Sequence, residues 1–263
     1  MAQLKITADK TAMSEAAAER VTWLVEKAIV ERGMAAMSLT GGTTPGLLYQ
    51  LLADPSRPWR DRIDWAHVHL FWGDEREVPP DHPESNFGLA NQLLIQHVPV
   101  PLTQIHRMRG ELPASDAGPL YDVMLLGIGA NAHIASIFPN SPLLIRGPEG
   151  SAPHTTDEAV WSGHGPIESA ADLSGPRAPL AAGVHVPELS QWRITMTPSA
   201  LLDSATIIVI ANGSAKTDAI AATLQDALDV ARYPAQLRRA AGQHVEWIID
   251  SAASARLRAV PPA

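Results

Sequence analysis

The sequence predicts an α/β fold: a modified doubly wound, Rossmann-like and mostly parallel sheet with helices on both faces. Three observations predict it. Short, near-continuous apolar runs recur along the chain, segments with helical periodicity separate them, and glycine-bearing loops follow several of the runs directly. Strands that read as apolar throughout are covered on both faces, which is the habit of parallel sheets. At 263 residues the chain stays within the roughly 250–300 residues at which single cores stop growing, so one domain over 1–263 is expected.

The elements follow in order. Ser14 to Arg32 reads as a helix. Val21, Leu24, Val25, Ala28 and Ile29 repeat at helical spacing, Ser14 serves as N-cap and Gly33 stands just past the end. Ala35–Leu39 is the first apolar strand, and a helix starting at Pro45 turns Leu47, Leu48, Leu51 and Leu52 inward. His67–Trp72 is a second strand, with His67 and His69 on one face; two histidines make an incomplete metal site, and core histidines are the expectation. Asp122–Leu126 and Ile207–Ala211 are the next strands. A helix after Asn212-Gly213 carries Ile220, Leu224 and Leu228, and Val245, Trp247 and Ile249 alternate as in a half-buried strand. Between Asn140 and Glu188, Pro, Gly and Ser cluster and periodicity fades. A stretch that long and irregular suits a lid, and equally a passive insertion.

Composition narrows the function. Lys+Arg number 20 and Asp+Glu 28, giving a net charge of −8, which argues against a nucleic-acid binder that needs a basic face. The absence of cysteine excludes disulfides, thiolate metal sites and cysteine nucleophiles. The opening MAQLKITADK has no apolar h-region and no stretch approaches a membrane span, so a cytoplasmic protein without membrane partners is expected.

Loops at the carboxyl ends of parallel strands converge on one crevice. Thr40-Gly41-Gly42-Thr43-Thr44-Pro45 offers backbone N–H groups, two hydroxyls and a helix N-terminus to an anion. It lacks the Lys-Ser/Thr pair of a P-loop, and a plain glycine turn fits the same residues. Phe71-Trp72-Gly73-Asp74-Glu75-Arg76, with Ser85-Asn86 beyond, supplies a guanidinium for phosphate and carboxylates that orient polar groups; standing alone it would be a solvated salt bridge. Gly127-Ile128-Gly129-Ala130-Asn131-Ala132-His133 matches the loose dinucleotide pattern G-x-G-x-x-A, but lies mid-chain, and its ribose-binding acid would be Glu149, off any strand. The alternative is that its glycines present His133 as a general base. Lys216 follows Asn212-Gly213 in a first helical turn, where the dipole disfavours a cation; an anion or chance accounts for it. Arg193 is a further candidate anion contact.

Taken together these loops resemble the 6-phosphogluconolactonase family. The matching residues are GGTTP at Gly41–Pro45, FWGDER at Phe71–Arg76 with Ser85-Asn86, GIGANAHIASIFP at Gly127–Pro139, RITMT at Arg193–Thr197 and Asn212–Lys216, in order from Leu39 to Asp250. The sister family, glucosamine-6-phosphate deaminase, typically has Asp-Glu-Tyr at Asp74-Glu75-Arg76 and Phe-Asn-Glu-Pro at Ser136–Pro139. The resemblance implies hydrolysis of 6-phospho-D-glucono-1,5-lactone to 6-phosphogluconate, the lactonase step of the oxidative pentose phosphate pathway. His133 would activate water and Asn131 would orient it, while Gly41, Gly42, Thr43, Thr44, Asp74, Arg76, Arg193 and Lys216 bind the phosphosugar. No cofactor or metal is implied, and a monomer or small homo-oligomer is expected. The family usually reads Asp-Gly-His where this chain has Asn131-Ala132-His133. Asn131 forfeits a negative charge beside the base; Ala132 is a minor change unless its position requires positive φ. Two other readings remain at this stage, an amino-sugar phosphate isomerase or deaminase and a catalytically weak sugar-phosphate-binding protein.

Overall fold

The computed structural model describes residues 3–108, 122–146, 165–166, 181–202, 204–240 and 245–258. In chain order the elements are β1 (Gln3–Thr7), α1 (Lys10–Arg32), β2 (Ala35–Leu39), α2 (Gly46–Ala53), α3 (Pro58–Arg62), β3 (Val68–Trp72), β4 (Asp74–Arg76), α4 (Asn86–Leu93), β5 (Val123–Leu126) and the two-residue β6 (Ile145–Arg146) and β7 (Gly165–Pro166). They continue with β8 (Ala181–Val186), β9 (Gln191–Met196), α5 (Pro198–Leu202), β10 (Thr206–Ala211), α6 (Thr217–Gln225), α7 (Leu237–Ala240) and β11 (Val245–Asp250).

Six strands form one parallel sheet in the order β1-β11-β10-β5-β2-β3. Alternation along the strands divides the core between its faces. Val123 and Leu125 of β5, with Ile208 and Ile210 of β10, join the helices α1 to α4. Met124, Leu126, Ile207 and Val209 pack on the other face with Ile220 of α6 and Leu237. The predicted doubly wound α/β architecture is the one observed.

Several local expectations are corrected. Helix α1 starts earlier than Ser14: Asp9 is extended and its carboxylate accepts from the Ala12 N–H at 2.9 Å, while Ser14 is buried within the helix. Helix α6 ends at Gln225, where Asp226 turns extended (φ −81°, ψ 169°), so Leu228 lies beyond it and exposed. Strand β11 is buried along its whole length because β1 and β10 flank it. Its polar residues are paired, Glu246 with Arg20 and Asp250 with the Gly213 N–H at 3.0 Å. The two histidines are not in the core, since β3 is an edge strand. His67 sits exposed on a single 3-10 turn against Asp64, 2.7 Å away, and the His69 Nδ1 lies 2.9 Å from His106 Nε2.

Two features were not legible in the periodicity. Strand β1 is a mostly exposed edge strand, and β4, β9 and β8 form a separate antiparallel sheet. Strand β8 also shortens the irregular segment, which is regular from Ala181 on; 147–164 and 167–180, with Glu149, lie outside the described residues.

Candidate active site

Four adjacent strands of the parallel sheet, β10, β5, β2 and β3, each run at the carboxyl end into one of the loops singled out above. The dinucleotide reading fails here. No helix follows Gly127–His133; the chain folds back instead through an Ile134–Ile137 bridge. The imidazole of His133 lies against its own loop, and a Cβ on Gly129 would stand 2.1 Å from its Nδ1. It stacks on Phe138, ring centroids 4.1 Å apart and 14° from parallel.

Asn131 fixes the tautomer. Its Oδ1 stands 2.6 Å from His133 Nδ1 and 3.3 Å from the His133 backbone N–H, so two donors converge on one amide oxygen. An amide oxygen only accepts, which puts the ring proton on Nδ1 and leaves the Nε2 lone pair free. Ala132, between them, is buried with φ 63°, so the position that departs from the family's glycine does require positive φ.

His133 is half-buried, and its pKa falls to about 4. Desolvation is the larger cause, followed by the charges of Lys216, Arg193 and Arg76 in that order. The charges of all three cations expected from sequence therefore bear on the histidine. Strand pairing brings two of them face to face, since Arg76 of β4 is the register partner of Arg193 of β9. Arg193 is 8% exposed. Burial and the neighbouring Arg76 both lower its pKa, against Asp74, Glu84 and Glu75. The Nε atoms of both arginines are buried without partners, although Arg76 donates to the Glu84 carbonyl and Arg193 Nη2 donates to Gln191 Oε1 at 2.9 Å. Burial likewise lowers the Lys216 pKa.

The acids of the second loop are engaged with protein groups. Asp74 accepts from Ser136 Oγ at 2.7 Å through one oxygen and from Asn86 Nδ2 at 3.1 Å through the other, tying β4 to the histidine loop. Glu75 accepts from the N–H groups of Arg76, Asn86 and Phe87 at 2.7–2.8 Å and from Ser85 Oγ at 3.0 Å. Burial pushes its carboxyl up against those bonds, which favour the ionised form. Asn86 in turn presses on the glycine loop, where a Cβ on Gly41 would stand 1.6 Å from its Oδ1. Tyr49 holds the start of that loop by donating to the Thr40 carbonyl at 2.6 Å and accepting from its N–H at 2.9 Å. Gly42 (φ 88°) and Thr43, with Arg76, line a cavity of about 640 Å³, and Thr44 is half-buried beside them. Sequence reasoning missed Phe138 and Ser136, although both lie inside a quoted motif.

Among the described residues no group of three or more His, Cys, Asp or Glu could hold a metal, and no helix is long and apolar enough to cross a membrane.

Known proteins resemble this chain in sequence and in fold. The family model for glucosamine-6-phosphate isomerases and 6-phosphogluconolactonase matches residues 8–162 and 168–247. The chain is 31% identical to the 6-phosphogluconolactonase of Mycobacterium tuberculosis over 277 residues, covering 97% of this chain and 98% of that protein. It is 30% identical to that of Haemophilus influenzae over 230 residues, covering 82% and 85%. Among solved structures, the crystal structure of the devB protein superposes with a TM-score of 0.74 at 27% identity, covering 98% of this chain and all (100%) of the other. The chain belongs to the glucosamine-6-phosphate isomerase/6-phosphogluconolactonase family.

Proposed function

We propose that this protein is a 6-phosphogluconolactonase, hydrolysing 6-phospho-D-glucono-1,5-lactone to 6-phospho-D-gluconate. One observation carries the reading: His133, its Nδ1 proton committed to Asn131, presents a free Nε2 among the cations Lys216, Arg193 and Arg76. An activated δ-lactone needs a positioned base, stabilisation of the carbonyl oxyanion and an anchor for the phosphate. The identity to curated 6-phosphogluconolactonases over most of the chain supports the same assignment.

In this mechanism His133 Nε2 takes a proton from water, and the oxygen adds to the lactone carbonyl carbon. The tetrahedral oxyanion collapses with cleavage of the bond to the ring oxygen, which receives the proton back from Nε2 as it becomes the product hydroxyl. Such general acid–base work contributes typically ~10²–10⁴-fold. The glycine loop, Arg76, Arg193 and Lys216 hold the phosphate and so place the reacting carbon beside His133. Asp74, with both oxygens engaged, serves the site by joining the phosphate-binding strand to the histidine loop.

The test is hydrolysis of the phosphorylated lactone above its spontaneous rate, at low temperature and mildly acidic pH. Ammonia release from glucosamine 6-phosphate in place of lactone hydrolysis would overturn the reading. So would binding of 6-phosphogluconate without turnover.

A further inference from the structure

Lys10 is the first residue of α1 and lies outside every motif of the site, yet its Nζ donates to the carbonyl oxygen of Thr43 at 2.9 Å. It opens, with Gly42, Thr43 and Arg76, onto the 640 Å³ cavity beside the glycine loop. Three features set it apart from an ordinary surface lysine. It pairs with no described carboxylate. It stands in the first turn of a long helix, where the dipole disfavours a cation. It also adds positive charge to a wall that already holds the partnerless Nε of Arg76, where Glu84 supplies the one carboxylate among the lining residues. Local energetics therefore do not select a lysine here, and a negatively charged ligand in the cavity does.

We propose that Lys10 is a specificity-determining residue for the phosphate of the substrate, a fourth cation that the fold brings to the glycine loop from the start of α1. The proposal rests on the lactonase reading, because the phosphorylated sugar is the ligand that reading supplies. Its Thr43 contact holds the ammonium at the loop, so the same bond that braces the backbone aims the charge. Lys10 touches the phosphate end only and leaves the chemistry at His133 alone.

The experiment compares the wild type, Lys10→Met and Lys10→Arg by calorimetric titration with 6-phosphogluconate and with gluconate, alongside thermal melts. Methionine keeps the length and helix propensity of lysine and removes the charge. Lys10→Met is expected to weaken 6-phosphogluconate binding about two- to fivefold, the scale of one partly exposed charge pair, while gluconate binding stays unchanged and Lys10→Arg recovers most of the loss. Its Tm is expected to stay close to wild type, since loss of the Thr43 contact and removal of a cation opposing the helix dipole act in opposite directions. An equal loss for both ligands, or undiminished preference for the phosphorylated one, overturns the role of Lys10. Failure of the lactonase reading shows elsewhere, as a wild type that does not prefer 6-phosphogluconate to gluconate, and that result removes both.

Discussion

Arg76 and Arg193 occupy directly opposed positions across the antiparallel pairing of β4 and β9. Like charges set opposite one another repel, and Arg193 is nearly buried, so the fold holds this arrangement at a cost that a bound anion relieves. Both charges, together with that of Lys216, bear on His133 and disfavour its protonated form.

Removing a cation should therefore weaken phosphate recognition selectively. Arg76→Ala and Lys216→Ala are each expected to lower affinity for 6-phosphogluconate by about 1.5–3 kcal/mol, the scale of a hydrogen bond to a charged group. Affinity for unphosphorylated gluconolactone should change little, and titrations with both ligands check this. A matching loss for the unphosphorylated ligand would show that these side chains do not read the phosphate.

The base should respond in the opposite way. His133→Ala is expected to cut kcat roughly 10²-fold or more with little effect on product affinity. Gly129→Ala should follow the same pattern more mildly, because the new Cβ would stand 2.1 Å from Nδ1 and the ring must move. Steady-state kinetics paired with product binding separate the two effects; near-wild-type turnover in His133→Ala would remove the histidine from the chemistry.

The pH profile carries a sign that the cations set. Burial and three positive charges disfavour the imidazolium and hold the His133 pKa near 4, so the acidic limb of kcat/KM, which reports the free enzyme, should lie near pH 4. A bound phosphate dianion neutralises part of that field and favours the imidazolium, moving the limb of kcat to higher pH. Lys216→Met should raise the limb of kcat/KM in the same direction, since Lys216 is the largest of the charge effects. A kcat limb at or below that of kcat/KM would contradict this electrostatic account.

Asn131→Asp tests the departure from the usual family pattern. The residue already touches the ring, with Oδ1 2.6 Å from Nδ1, so a carboxylate there would favour the protonated histidine and raise its pKa. The acidic limb should shift upward, and kcat should increase because the imidazolium formed as water attacks is better stabilised; each pKa unit corresponds to about 1.4 kcal/mol. An unchanged rate and profile would uncouple position 131 from the base. A lower kcat would mean that the site is built around the amide.

Ala132 is a separate case. An alanine at φ 63° forgoes about 1–2 kcal/mol relative to a favourable conformation. Glycine there would relieve that strain but lose a buried methyl and gain unfolded-state freedom, each worth about 0.4–1 kcal/mol. Ala132→Gly should thus stay within about 1 kcal/mol of wild type in denaturant unfolding, whereas Ala132→Val, branched at a left-handed position, should lose clearly more. Equal stability of all three would show that the backbone relaxes away from positive φ.

The parallel sheet was legible because its strands, such as Val123–Leu126, are buried on both faces and therefore apolar at every position. The same logic placed β11 as a strand but misjudged its burial, because Glu246 and Asp250 look like solvent-facing residues although each is paired in the interior. The loops at the strand ends could be read from glycine, charge and order. Their mutual geometry could not, because it depends on β4 pairing with a strand more than a hundred residues away. No periodicity encodes that pairing, so the opposition of Arg76 to Arg193 emerges only in three dimensions. The buried environment of Asp74 was hidden for the same reason, since Ser136 and Asn86 reach it from separate segments.

Arg76 and Arg193 hang from the small antiparallel sheet, while His133 and Lys216 follow strands of the large parallel one. The described bonds joining the two regions include Met196 N–H to the Gly73 carbonyl at 2.9 Å and the Ser136 contacts to Asp74 and Thr195. In the proposed complex a phosphosugar held from both sides acts as a removable rivet that adds to the bonds between the two sheets. Local opening is set by the weakest such joints rather than by global unfolding. Ligand at a hundred times its dissociation constant would deepen the closed state by about 2.7 kcal/mol. Amide hydrogens of β9 should then exchange far more slowly when substrate or product is bound, while those of β11, sealed between β1 and β10, answer only to the unfolding of the whole domain.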